Sequence, residues 1–193
     1  MKRAGDVRNL DITLKLVAKL KGTKALQAKL RRRRAAGAKR LATELKAAID
    51  QGVPDQPPVT GSRSRQAAAH AINRLFKRGA NAKKPKDLHR VRIAVKKLRY
   101  TLEMVAPGHP RLDEIKRLQS DLGRINDFET AWKLVGEETG EKSVRDQLKD
   151  KQRKKIHAFH ARWTKVLTDP HAARAWIGEI ELPEERDSSP SRD

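Results

Sequence analysis

Apolar residues in this chain recur at spacings of three and four, and strand-like alternation is absent. The clearest run is LHRVRIAVKKLRYTLE, residues 88–103. There Leu88, Val91, Val95, Leu98 and Leu102, with Val105 just beyond, draw one stripe along a helix. The same spacing predicts helices over 8–20, 24–50, 63–78, 86–105, 110–121, 126–138, 141–168 and 171–177. Ala, Leu, Lys, Arg and Glu, all good helix formers, dominate them. Breaks fall between the helices. Gly22 and Thr23 separate the first pair, with Thr23 expected as an N-cap. GVPDQPPVTG, residues 52–61, is a Pro/Gly linker that a helix cannot cross. Asn126 is expected to cap the helix that follows it, and Pro170 to stop the long one. The final EERDSSPSRD has the composition of a disordered tail.

An internal repeat organises these elements. With an offset of 118, GDVRNLDITLKLV (from Gly5) lies over GRINDFETAWKLV (from Gly123). Val7 then pairs with Ile125, Leu10 with Phe128 and Asp11 with Glu129. The register continues without a gap to Leu26 over Val144, Leu30 over Leu148, Leu41 over Phe159 and Leu45 over Trp163. Each copy is a short helix, a break and a long basic helix. A different helical unit, from residue 63 to about 121, lies between them. The fold class is therefore all-α, a helical bundle with an internal repeat whose first half is incomplete. The expected division is a helical hairpin over 1–50, a linker over 51–62, a four-helix bundle over 63–168, and a short helix with a tail over 169–193. A unit of roughly 55–70 residues, judged from the repeat spacing, is expected to be missing ahead of the first copy. The stripe Leu10, Leu14, Val17, Leu26, Leu30, Leu41 and Leu45 then lacks a partner from its own repeat. Either a homodimer buries the first 50 residues, or they form a loosely attached hairpin.

Charge adds the functional signal. Lys and Arg number 45 against 24 Asp and Glu, a formal net charge of +21 on 193 residues. Such an excess attracts nucleic acid, polyphosphate or an anionic membrane surface. Part of it is focused. His89, Arg92, Lys96 and Arg99 fall within roughly 80° of arc at about 100° per residue, directly beside the apolar stripe. Glu103 is the one acid on that arc and is expected to orient the cations by ion pairing. On the first long helix Arg33 and Arg40 flank the core side, and Arg34 falls within it. A buried unpaired Arg is costly, so Arg34 is expected to face a wet cleft or an acid. Lys151 and Lys155 share the matching flank of the second copy. Taken alone, the RRRR run at 31–34 reads as a solvated charge run.

HRVRIAVKKLRYTLE, followed by LQSDLGRINDFETA (118–131), resembles the conserved histidine α-helical domain, the CHAD family. The family pattern is a His, an Arg three later, then Lys and Arg-Tyr along one helix, and a Leu-Gly-x-x-Asp turn. His89, Arg92, Lys96, Arg99-Tyr100 and Gly123 with Asp127 match it. The resemblance spans about residues 3–168 and is weaker in the first half, where Asn9 stands in place of the usual Asp. It implies two pseudo-symmetric four-helix bundles lining a basic cleft, with inorganic polyphosphate as ligand and no catalysis by the domain itself. The expected contacts are His89, Arg92, Lys96, Arg99, Arg33, Arg34, Arg40, Lys151 and Lys155. Arginine forks onto phosphate oxygens and lysine acts as a point charge. Histidine donates when neutral and gains charge as pH falls.

Other features narrow this reading. There is no cysteine, so thiolate and disulfide chemistry are excluded. No segment approaches the roughly 18 apolar residues of a membrane span, and the N-terminus has no signal-like apolar core, so a cytoplasmic location, with association to polyphosphate granules, is expected. No phosphate loop, nucleophile–base pair or carboxylate cluster is visible, so no enzyme, cofactor or metal is expected. His157 and His160 lie at i, i+3 without matching carboxylates and read as structural or solvent-exposed. Trp132, Phe159 and Trp163 read as core. Two other function classes stay open, a nucleic-acid binder using phosphate contacts and, less favoured, a polyphosphate-processing enzyme.

Overall fold

The structure, a computed structural model, describes residues 2–52, 65–139 and 141–180. The expected linker core and the C-terminal tail lie outside those residues. The helices are α1 (Lys2–Val17), α2 (Lys24–Asp50), α3 (Arg65–Gly79), α4 (Pro85–Val105), α5 (Leu112–Glu138) and α6 (Lys142–Phe159). A π-helical turn (His160–Thr164) leads into α7 (Lys165–Thr168), and α8 (Ala172–Gly178) follows. The fold is all-α, with no strand among the described residues.

Two expected boundaries are corrected. The stretches 110–121 and 126–138 form a single helix, α5, and Asn126 caps nothing. Ile115, Leu118, Leu122, Ile125, Phe128, Ala131 and Val135 are all buried, one stripe without an interruption. Its burial, about 1.5–3 kcal/mol for each large side chain, outweighs the roughly 1 kcal/mol that Gly123 costs a helix interior. Thr23 precedes α2 but its side chain makes no cap bond. Its hydroxyl donates instead to the Val17 carbonyl at 2.8 Å and accepts from Gln27 Nε2 at 3.0 Å. Thr23 thus closes the end of α1, and the turn is completed by Gly22 at φ +73°, where a side chain would be strained.

The chain divides into two compact units. The first lies within residues 1–60 and 120–161, the second within 61–119 and 162–193. This cuts the chain differently from the 1–50 and 63–168 division expected from sequence. In the first unit Leu10, Val17, Leu20, Leu26 and Leu30 share one core with Phe128, Ala131, Val135, Val144 and Leu148. The expectation of a loosely attached hairpin is overturned for this part of it. The apolar stripe of the first repeat copy packs on that of the second. The C-terminal half of α2 is different: Leu41 is half-buried, Leu45 is 54% exposed and Ile49 70% exposed.

In the second unit α3 packs along α4 and against α7 and α8. Gly79 is required there, because a Cβ at that position would stand 2.7 Å from Leu167 Cβ. Phe76 meets Trp176 edge-on at 5.1 Å. Buried His109 accepts the Arg111 backbone N–H at Nδ1 (3.1 Å), so its proton sits on Nε2, which faces the Trp176 carbonyl at 3.2 Å. Arg111 forks onto Glu179 at 2.7 and 2.9 Å and lies over the Trp176 ring. These contacts fix α8 to the turn that precedes α5.

Candidate polyanion site

Helix α4 is pinned at its start. Pro85 occupies the first turn, and the Asp87 carboxylate accepts the Lys84 backbone N–H at 3.2 Å. Leu88, Val91, Ala94, Val95, Leu98, Leu102 and Val105 are buried, as the sequence pattern requires. That orientation fixes the neighbouring arc. His89 is exposed, and Arg92, Lys96 and Arg99 are half-buried at successive turns. Arg99 Nε donates to Glu103 Oε1 at 2.8 Å, the orienting pair the sequence suggested. This hydrogen bond, more than the attraction between the charges, holds the Arg99 guanidinium above its ordinary pKa. Arg92 Nε is shut off from solvent with no hydrogen-bond partner among the described residues. A buried donor left unpaired costs about 1–3 kcal/mol.

The remaining expected contacts belong to the first unit. Arg33 is paired with Glu138 and lies 3.5 Å from Glu137. The Glu138 hydrogen bond is the main reason its pKa is raised. Arg34 is exposed and its Nε donates to Asp11 at 2.9 Å, which meets the expectation of an acid partner. Arg33 and Arg40 line one cavity of about 380 Å³ together with Arg3, Asp6 and Asn9. Its floor is tight, since a Cβ on Gly37 would come within 3.3 Å of Val7 Cγ2. Lys151 and Lys155 are exposed one turn apart on α6. Arg33 and Arg40 are therefore brought together, while Arg34 is turned to Asp11. The pairing of Asp11, Glu137 and Glu138 with these arginines depends on the long-range packing of α1 and α5 on α2, which local spacing does not reveal.

Other residues resolve as follows. Phe159 and Trp163 are buried, and Trp132 is half-buried beneath the Arg145 guanidinium at 4.1 Å. Among the described residues no cluster of three or more His, Cys, Asp or Glu is placed to hold a metal. The His160 pKa is lowered, first by burial and then by His157. No described helix is long and apolar enough to cross a membrane.

A model of the CHAD domain matches residues 1–136. The chain belongs to the CHAD family. The match takes in α1 to α4 and most of α5, and so His89, Arg92, Lys96, Arg99, Arg33, Arg34 and Arg40; Lys151 and Lys155 lie beyond it. No curated protein and no solved structure matches the chain.

Proposed function

We propose that this CHAD domain is a non-catalytic binding module for inorganic polyphosphate, and that the flank of α4 is its principal contact. The observation that carries this is Arg92. Its half-exposed side chain lies between exposed His89 and half-exposed Lys96 and Arg99 on successive turns, with Glu103 the one acid on that arc and already engaged by Arg99, so the arc presents an excess of cations to an external oxyanion. Polyphosphate offers such oxygens at regular spacing along an unbranched chain. Arg92 and Arg99 bind them by fork geometry, with Arg99 held in position by Glu103, and Lys96 and His89 extend the track. Arg40 on its cavity, and Lys151 and Lys155 on α6, are secondary contacts, while Arg33, engaged by Glu138, adds charge to the same cavity. Arg34, engaged by Asp11, contributes charge more than direct bonding. On this reading the protein works in the cytoplasm, at polyphosphate granules.

Binding of long-chain polyphosphate by wild type and by Arg92→Ala/Lys96→Ala tests this. Neither side chain belongs to the buried stripe, so helicity is retained. Two charge-assisted contacts at about 1.5–3 kcal/mol each correspond to a hundredfold loss or more. Wild-type affinity in the double variant removes α4 as the site. Single-stranded DNA that displaces polyphosphate at equal phosphate concentration and matched salt makes this a nucleic-acid binder. Phosphate release in the presence of Mg²⁺ makes it an enzyme.

A further inference from the structure

A basic concavity lies on another face of the α3–α4 pair. Arg74, Lys77 and Arg78 of α3, Asn81 of the connecting turn, and Asp87 and Arg90 of α4 line a groove of about 660 Å³. At about 100° per residue, Arg90 lies roughly 140° from the middle of the His89/Arg92/Lys96/Arg99 arc, with exposed Ile93, Lys97 and Met104 between them. The groove and the α4 flank are thus separate faces of α4.

The groove has four cations and one acid. The acid is already engaged. One Asp87 oxygen accepts the Lys84 N–H at 3.2 Å and the other lies 3.7 Å from Arg90 Nη1. Arg78 is fixed by donating Nη1 to the Arg90 carbonyl at 3.2 Å. Arg74 and Lys77, both exposed, have no acid partner among the described residues. Four like charges around one concavity repel each other, and a bound anion relieves what Asp87 and solvent leave uncompensated. The lining has no aromatic or large apolar side chain, hence no platform on which a nucleobase could stack. The chemistry fits phosphoryl oxygens alone.

We propose that this groove is a second inorganic-polyphosphate subsite, so that one domain holds two segments of polyphosphate at once. The inference rests on the polyphosphate reading above but not on its placement at α4. Two tethered sites raise avidity without new contacts, provided one chain can span both, and otherwise join two chains.

Calorimetric titration with inorganic tripolyphosphate, too short to reach round the hairpin, separates the two sites. The groove variant is Arg74→Ala/Lys77→Ala/Arg90→Ala, all exposed positions, with Arg78 retained because it ties α3 to α4. Wild type should take up two tripolyphosphates, the groove variant one, Arg92→Ala/Lys96→Ala one, and the combined variant none. Replacement by lysine at Arg74 and Arg90 should preserve the count and shows that charge, not folding, is being read. The groove is refuted if its alanine variant still binds two, or if Arg92→Ala/Lys96→Ala binds none. It is also refuted if the groove variant loses affinity for single-stranded DNA but keeps both tripolyphosphates. If the groove variant loses one site and Arg92→Ala/Lys96→Ala loses none, the groove stands and the α4 placement falls. A wild-type protein that binds no tripolyphosphate overturns both.

Discussion

The repeat offset of 118 supplies a matched experiment on stability. It places Leu45 over Trp163 and Ile49 over Leu167. Trp163 and Leu167 are 3% and 2% exposed, whereas Leu45 and Ile49 are 54% and 70% exposed. The difference has a visible cause at the second pair. Leu167 packs on Gly79 of α3, which lies against α7, while among the described residues nothing equivalent covers the end of α2. Truncating Leu167 to Ala removes a fully buried side chain and leaves a cavity against Gly79, at a cost of about 2–5 kcal/mol. Truncating Ile49 removes little buried area, and Ala is the better helix former, so the net change stays within about 0.5 kcal/mol. Urea unfolding followed by circular dichroism reads both variants, and a shift in midpoint at constant slope is a change in stability. By heat, each kcal/mol corresponds to about 2–4 °C for a chain of this size. The reasoning is refuted if Ile49→Ala costs as much as Leu167→Ala at micromolar protein. A cost for Ile49→Ala that grows with protein concentration would instead show that the α2 stripe Leu41, Leu45 and Ile49 is buried between copies, the homodimer suggested by the sequence.

Other outcomes follow from particular contacts. Thr23→Val leaves the Val17 carbonyl and Gln27 amide without their hydroxyl partner and should cost about 1–3 kcal/mol by urea titration; no loss would mean that water replaces the bond. Glu179 has a lowered pKa, first through its hydrogen bond with Arg111, so its contribution is present above the ordinary Glu range and is lost as pH falls through its folded value. Glu179→Gln should therefore be less stable than wild type at neutral pH, the gap closing toward pH 3, and an equal gap at both pH values would contradict this. His160 is disfavoured from charging by burial and by His157, so wild type should lose stability as pH falls below about 6.5; His160→Phe should lose less over that range. Polyphosphate affinity should fall as a power of salt concentration, by analogy with a slope of about 0.7 for each phosphate contact on single strands, and less steeply in Arg92→Ala/Lys96→Ala; equal slopes would deny those residues a phosphate contact.

The helical content and the face of α4 were legible because both depend on local periodicity. Once Leu88, Val91, Val95, Leu98 and Leu102 go inward, the directions of Arg92, Lys96 and Arg99 are set by 3.6 residues per turn. Asn126 misled because capping preference is a local signal, and the continuous stripe of α5 overrode it. The sharing of one core by the two repeat copies was not legible, since equal stripes do not say which stripe faces which. The α3–α4 groove was half-visible: Arg74, Lys77 and Arg78 have i, i+3, i+4 spacing, but only the pairing of α3 with α4 adds Arg90 and makes a concavity.

The repeat also explains how the first unit treats its charge. Arg34 and Gln152 are equivalent under the 118 offset, as are Asp11 and Glu129. Arg34 Nε bonds Asp11 at 2.9 Å, and Gln152 Nε2 bonds Glu129 at 3.1 Å. Both copies therefore tie the long helix to the short one through a donor and a carboxylate at the same place, once with a charged donor and once with a neutral one. What the architecture keeps is the hydrogen bond; the charge on the donor is free to vary. Arg33, satisfied by Glu138, likewise belongs to the holding together of this unit. The cations of the second unit are of two kinds, for Arg90, Arg99 and Arg111 have acid partners as Arg33 and Arg34 do. Arg92 has an unsatisfied donor, and Arg74 and Lys77 have no acid partner among the described residues. An unpaired cation lowers the stability of a chain already carrying +21. A bound polyanion would remove part of that cost at Arg74 and Lys77, so polyphosphate, on the reading proposed above, should stabilise the chain against unfolding.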